Sequence, residues 1–123
     1  MEKNREISAS GKSSVYSLFH AQVRRNRDAI AIEYQKKTWN YGTLDDAIRR
    51  LANVFTNLGI VKRDRVAIIS ENRPEYIVAE LACAMTGAII ACQNWRLSSD
   101  ELKHCITLVN PKLLMVSERF ANK

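Results

Sequence analysis

The chain has 123 residues, a formal net charge of +6 and a hydrophobic content of 46%. These values predict one compact domain with a single core, and they exclude extended disorder. No apolar run reaches the roughly 20 residues of a membrane span, and residues 1–14 lack the apolar core of a secretory signal, so we expect a soluble, cytoplasmic protein with a flexible leader over residues 1–13.

A helix and a β-hairpin are predicted after this leader. Residues 13–27 carry an apolar stripe at helical spacing, and Ser13 or Ser14 can cap the helix start. Residues 29–34 alternate in the manner of a strand, and residues 38–41 would return antiparallel to them.

The next segment, residues 43–58, is the clearest helix of the sequence. Its apolar residues recur at steps of three and four, which is typical of a helix with one buried face. We expect Thr43 to cap it, Asp45 and Asp46 to face solvent in its first turn, and Gly59 to end it in the left-handed conformation.

The pattern then changes to short, continuous apolar runs at residues 66–69, 88–91 and 113–116. Such runs are typical of parallel strands that helices cover on both faces. Helices are predicted between them at residues 74–86 and 99–108, which gives a β-α-β-α-β unit. Because two crossovers cover little more than one face of the sheet, we expect further chain after residue 123.

Basic residues and cysteines offer little chemistry of their own. The basic residues fall mostly at helix ends and in turns, which favours capping over nucleic-acid binding. Cys83, Cys92 and Cys105 are widely spaced in apolar segments, so neither a disulfide framework nor a metal site is expected.

Two polar loops follow predicted strands, where α/β proteins commonly bind ligands. In the first, Glu71, Asn72 and Arg73 are candidate binding residues, although helix capping and turn formation would explain them equally well. In the second, Asn94 precedes Trp95 and Arg96, and a guanidinium beside an aromatic ring suits a phosphate or an adenine-bearing ligand. The alternative is a surface arginine that packs on Trp95.

Four segments carry motifs in a recognisable order. They are TWNYGTL at 38–44, LGIVKRDRVAI at 58–68, ENRPEY at 71–76 and the stretch from Gly-Ala to Glu-Leu at 87–102, which contains the sequence N-W-R-L. Together they resemble the N-terminal part of the adenylate-forming superfamily, and particularly AMP-forming acyl-CoA synthetases, in which N-W-R-L recurs.

Three positions depart from the family pattern. Thr43 replaces a glutamate, Arg63 replaces a turn glycine, and Cys92 replaces a proline. Of the three, Cys92 is the change that would alter a loop near the ligand cleft.

The resemblance implies that residues 14–123 are part of a large N-terminal AMP-binding domain that stops before the phosphate loop. It implies an acid–CoA ligase that uses ATP and Mg to convert a carboxylic acid to an acyl-adenylate and then transfers the acyl group to CoA. Because the chain lacks a glycine-rich phosphate loop, we expect it to be inactive by itself. In similar ligases the arginine that matches Arg96 approaches the phosphate of CoA.

The rival hypothesis is a stand-alone α/β module that binds a ligand or self-associates without catalysis. The resemblance does not identify the carboxylic acid, since the acyl pocket of the family is built from later segments.

Overall fold

The N-terminal half forms the predicted helix, hairpin and helix in a computed structural model that describes residues 14–122. Its elements are α1 (Val15–Arg25), β1 (Ile30–Tyr34), β2 (Lys37–Asn40) and α2 (Tyr41–Asn57). Ser14 caps α1, because its hydroxyl accepts a hydrogen bond from the Ser17 amide at 3.1 Å. The predicted leader, including Ser13, lies outside the described residues.

The hairpin turns at two residues with positive φ. Gln35 and Lys36 have φ values of 49° and 64°, the conformation that matches the twist of a tight two-residue hairpin. β1 and β2 therefore pair antiparallel, as predicted, with an irregularity between Ile30 and Ile32.

Two expectations for α2 are wrong. The helix begins at Tyr41, directly after β2, so Asn40 is its cap and Thr43 is the residue that donates its amide to the Asn40 side chain at 2.7 Å. Asp45 is not in the first turn and does not face solvent, since only 2% of it is exposed. Asp46, in contrast, is exposed as expected.

Asp45 is buried because α1 and α2 each supply a partner for its carboxylate. The Tyr16 hydroxyl donates to it at 3.0 Å and the Arg49 Nε donates to it at 2.9 Å. Burial and then the Asp45 carboxylate raise the pKa of Tyr16, while the hydrogen bond to Asp45 raises the pKa of Arg49. This cluster therefore joins α1 to α2 by charge-assisted hydrogen bonds.

The C-terminal half is the predicted β-α-β-α-β unit. Its elements are β3 (Arg65–Ile69), α3 (Pro74–Thr86), β4 (Ile89–Gln93), α4 (Ser99–Val109) and β5 (Leu113–Val116), followed by a 3-10 turn at Glu118–Phe120. The three strands are parallel in the order β4-β3-β5. No helix within residues 14–122 has the length and apolar character needed to cross a membrane.

Only the central strand is buried on both faces. Val66 and Ala67 of β3 are fully buried, whereas Leu114 and Val116 of β5 are 41% and 40% exposed. The expectation that all three strands are buried on both faces is therefore wrong for β4 and β5, because the helices within residues 14–122 leave part of every residue in these two outer strands exposed. α2 and α3 pack together over one face of the sheet, and α4 packs on the other.

The turn that leads into β3 retains the backbone conformation of a glycine. Arg63, which stands where the family that the sequence resembles has a turn glycine, has a φ of 74°, and its amide donates to the Gly87 carbonyl. The neighbouring Asp64 carboxylate accepts the Val61 amide at 2.7 Å and pairs with Lys112 at 3.0 Å. These contacts fix the turn, and they lower the pKa of Asp64, with the amide contributing most.

We expect Asp45→Ala to lower the free energy of unfolding by about 1–3 kcal/mol, because the Tyr16 hydroxyl and the Arg49 guanidinium lose their shared acceptor. The matched control is Asp46→Ala, which removes an exposed carboxylate 3.6 Å from Arg27 and is expected to cost less than about 0.5 kcal/mol. Urea denaturation followed by circular dichroism measures both, and equal effects would contradict the structural role of Asp45.

Candidate functional site

Three polar loops lie side by side at one edge of the sheet. They follow the carboxyl ends of β3, β4 and β5, at residues 70–73, 94–98 and 117–120. Two of them were predicted as ligand loops, and the third follows the last strand of the sequence. Since the strands are parallel, all three loops leave the sheet in the same direction.

Glu71 connects the loops that follow β3 and β5. The Ser117 hydroxyl donates a hydrogen bond to its carboxylate at 2.6 Å. The hydroxyl of Ser70 donates to the Glu71 backbone carbonyl at 2.8 Å. The bond from Ser117 is the main cause that lowers the pKa of Glu71, so this carboxyl group is ionised at neutral pH.

Arg73 is compensated by acidic neighbours. Its guanidinium contacts the Glu75 carboxylate at 2.8 Å and lies 3.7 Å from that of Glu71. Asn72 and Arg73 line a cavity of about 440 Å³ between the hairpin and the start of α3, beside Tyr34. With both carboxylates so close, Arg73 is poorly placed to attract an anion.

The loop after β4 is shaped by its own asparagine. The Asn94 side chain accepts a hydrogen bond from the Arg96 amide at 3.0 Å, and the Asn94 carbonyl accepts one from the Leu97 amide at 3.2 Å. The Asn94 side chain therefore forms the turn that carries Trp95 and Arg96, and its binding role stays a prediction.

Trp95 is the centre of a cluster that joins the loops after β4 and β5. Its ring stacks on Phe120, with centroids 5.2 Å apart and planes inclined by 22°. The guanidinium carbons of Arg96 and Arg119 lie 4.9 Å and 5.2 Å from its centroid. We call Trp95, Arg96, Arg119 and Phe120 the aromatic–arginine cluster; it lines an open groove of about 600 Å³.

Apart from Glu71, the five predicted site residues therefore divide into two groups. Trp95 and Arg96 lie in the aromatic–arginine cluster, and Asn94 supports them, whereas Asn72 and Arg73 line the cavity beside the hairpin. The alternative of an arginine packed on Trp95 describes the observed contact, and Arg96 remains exposed in that position.

Sequence reasoning missed Ser117, Arg119 and Phe120. The signal was present, because these residues follow the third apolar run just as Glu71 and Trp95 follow the first two. The carboxyl ends of parallel strands share one edge, so the third loop belonged with the other two.

The cysteines and acidic residues suggest no metal chemistry in the part of the chain that the structure describes. Within residues 14–122, no three His, Cys, Asp or Glu side chains converge in a way that could hold a metal ion. Burial raises the pKa of Cys83 to about 11, so its thiol is protonated and unreactive at neutral pH. Cys92 is a hydrogen-bond partner of Tyr76, so it lies toward α3.

Comparison with known proteins gives the chain its family. Residues 19–123 match the model of the AMP-binding enzyme family. The chain belongs to this family. The arrangement of motifs that resembled the adenylate-forming superfamily is thus confirmed over most of the sequence.

Curated proteins that resemble the chain include two CoA ligases. The chain is 37% identical over 103 residues to crotonobetaine/carnitine–CoA ligase of Salmonella paratyphi A. The aligned region covers 81% of the chain and 20% of that ligase. The chain is 27% identical over 96 residues to 4-hydroxybutyrate–CoA ligase 2 of Metallosphaera sedula, covering 78% and 18%. The chain thus spans about a fifth of the length of these relatives.

Solved structures share the fold of this AMP-binding family member. The N-terminal subdomain of Klebsiella oxytoca NpsA, in complex with 3-hydroxybenzoyl-AMSN, gives a TM-score of 0.81 at 23% identity over 88% of the chain and 27% of the subdomain. A mutant form of coronafacic acid ligase from Pectobacterium brasiliense gives 0.82 at 23% identity, covering 85% and 21%. The predicted α/β architecture is therefore confirmed.

We expect Ser117→Ala to raise the pKa of Glu71 toward its ordinary value of 4.5. A carboxyl group whose pKa is lowered by folding stabilises the fold above its ordinary pKa, and this contribution is lost as the pH falls through the lower value. The stability difference between wild type and Ser117→Ala should therefore shrink as the pH falls below 4.5. Carbon-13 NMR titration of the Glu71 carboxyl group measures the shift.

Glu75 provides an internal control in the same titration, since its pKa is lowered mainly by Arg73. The pKa of Glu75 should therefore be the same in the wild type and in Ser117→Ala. An unchanged Glu71 pKa, or an equal change at Glu75, would contradict the assignment.

Proposed function

We propose that the chain forms the N-terminal part of an acid–CoA ligase, which activates a carboxylate with ATP to an acyl-adenylate and transfers the acyl group to CoA. Membership of the AMP-binding enzyme family carries this proposal, and the relatives named above are CoA ligases. In this role residues 14–123 are part of the large N-terminal domain, and the remaining catalytic groups come from chain outside them.

The charges at the loop edge support a CoA-binding role for the aromatic–arginine cluster. Arg73 is compensated by two carboxylates, but Arg96 is exposed and has no ion pair within residues 14–122. An uncompensated guanidinium can form two parallel hydrogen bonds to a phosphate group. Arg96 therefore binds a CoA phosphate in this proposal, while Trp95 holds its guanidinium in place.

The described residues offer no comparable site for the phosphates of ATP. Neutralising a triphosphate takes a backbone cradle or several converging cations and a metal ion. Residues 14–122 contain three glycines, at positions 42, 59 and 87, and none lies in the three loops at the carboxyl edge. No adenylation step is therefore assigned to side chains of this chain.

The purified 123-residue chain is expected to show no carboxylate-dependent exchange between ATP and pyrophosphate, yet to retain CoA saturably in equilibrium dialysis. Crotonobetaine, carnitine and 4-hydroxybutyrate are suitable acids, because relatives act on compounds of these names. A complete CoA ligase assayed beside it provides the positive control. Exchange by the chain alone would contradict the proposal that the catalytic groups for adenylation lie outside it. Failure to retain CoA would contradict the CoA-binding role.

Self-association is a second candidate, favoured by the edges of the sheet. Within residues 14–122, β4 and β5 each pair with β3 alone, so each leaves one row of backbone hydrogen-bonding groups without a strand partner. Leu114 and Val116 add exposed apolar surface on β5. Such edges promote pairing between copies of a chain.

If this edge mediates a dimer, the wild-type chain should sediment faster as its concentration rises, and Val116→Lys should abolish the change by placing a charge on the edge strand. Val61→Lys is the control, because Val61 is 60% exposed and lies outside the sheet. Sedimentation velocity distinguishes the outcomes. A wild-type chain that remains monomeric, or an equal effect of the two variants, would exclude this candidate.

A further inference from the structure

Exposed apolar side chains gather at the amino edge of the sheet, opposite the three polar loops. β3, β4 and β5 begin at this edge, and α2, α3 and α4 end there. Leu58 and Val61, in the turn between α2 and β3, are more than half exposed, as is Leu108 near the end of α4. About half of Ile89, the first residue of β4, is exposed. Four large apolar side chains therefore lie in the open at one end of the molecule.

Hydrogen bonds hold the segments of this edge side by side. The amide of Ile89 donates to the Asp64 carbonyl at 2.8 Å. The Arg65 guanidinium donates to the carbonyl of Val109, the last residue of α4, at 3.2 Å. The turn after α2, the start of β4 and the end of α4 thus form one surface. We call it the amino-edge surface, and its members are Leu58, Val61, Lys62, Arg63, Arg65, Ile89 and Leu108.

The amino-edge surface is also basic. Lys62, Arg63 and Arg65 are exposed, and within residues 14–122 none of them has an ion pair. The carboxylate in this turn belongs to Asp64, which accepts the Val61 amide at 2.7 Å and pairs with Lys112 at 3.0 Å. Because Lys112 neutralises Asp64, the charges of the three exposed cations remain available to an anionic partner.

Arg63 occupies a position at which a glycine would fold more easily. Its φ of 74° lies in the left-handed region, where a side chain adds steric strain and glycine adds none. The family that the sequence resembles has a glycine at this position. Backbone strain that a native structure retains points to a function of the residue, and an exposed guanidinium offers its charge.

We propose that the amino-edge surface docks on an anionic lipid bilayer, with its three cations at the headgroups and with Leu58 and Val61 in the interface. Anionic headgroups attract basic side chains, and the boundary with the acyl chains accepts apolar ones, so a bilayer matches both properties of this surface. A nucleic acid matches it less well, because the amino-edge surface contains no aromatic ring on which a base could stack. This docking goes beyond the proposed ligase function.

Sedimentation with sucrose-loaded vesicles tests the proposal on the 123-residue chain. One set of vesicles contains phosphatidylserine in phosphatidylcholine, and the other contains phosphatidylcholine alone. We expect the wild-type chain to sediment with the first set and not with the second. Added salt should weaken the binding, because it screens the charges. Duplex DNA at the same concentration of negative charge provides the alternative partner.

Arg63→Gly separates binding from folding. It should weaken binding to the phosphatidylserine vesicles about fivefold, which corresponds to the loss of one charge at the membrane surface. Its free energy of unfolding in urea should be no lower than that of the wild type, since glycine suits the turn. Val61→Ser should weaken binding about tenfold, because less apolar surface leaves water. Lys103→Gln, beside the carboxyl edge, is the control for net charge and should change nothing.

Binding of the wild type to neither set of vesicles, or equally to both, would overturn the proposal. An equal loss in Arg63→Gly and Lys103→Gln would do the same, because net charge alone would then explain the binding. A Val61→Ser variant that binds like the wild type would contradict the apolar contact with the interface. Tighter binding to duplex DNA than to the vesicles would assign the surface to a nucleic acid and exclude the lipid partner. The proposed ligase function is independent of all these results.

Discussion

Parallel pairing on both sides of β3 is the constraint on which the arrangement of this molecule depends. Ile69, the last residue of β3, lies opposite Gln93 of β4 and Val116 of β5. The three strands therefore end at the same level, and the loops that follow them leave the sheet next to one another. The contact of Trp95 with Phe120 and that of Glu71 with Ser117 both arise from this alignment, although more than 20 residues separate each pair in sequence.

The sequence predicted those parts of the fold that depend on neighbouring residues. Pro74 and Gly87 bound α3 at its observed ends, because proline suits the first turn of a helix and glycine adopts the left-handed conformation that ends it. The hydrophobic spacing of α2 likewise identified its buried face. In both cases the local pattern and the tertiary structure favour the same conformation.

The predictions that failed concern residues whose surroundings are set by an element distant in sequence. Asp45 lies on the polar side of α2 by sequence spacing, and only the approach of α1, with Tyr16, makes its burial favourable. The cap of α2 is Asn40 and not the predicted Thr43, because β2 leads directly into the helix. Trp95 and Arg96 were predicted from the loop after β4, whereas Arg119 and Phe120 join the aromatic–arginine cluster only through their contacts with Trp95.

The arginines at the carboxyl edge of the sheet share a similar position, but they differ in whether a carboxylate neutralises their charge. Arg73, Arg96 and Arg119 all follow the carboxyl end of a parallel strand. Glu71 and Glu75 satisfy Arg73, so an anion would have to compete with two carboxylates for it. Arg96 and Arg119 instead lie against aromatic rings, which orient a guanidinium without neutralising its charge. Of the arginines at this edge, those in the loops after β4 and β5 therefore have no carboxylate partner within residues 14–122.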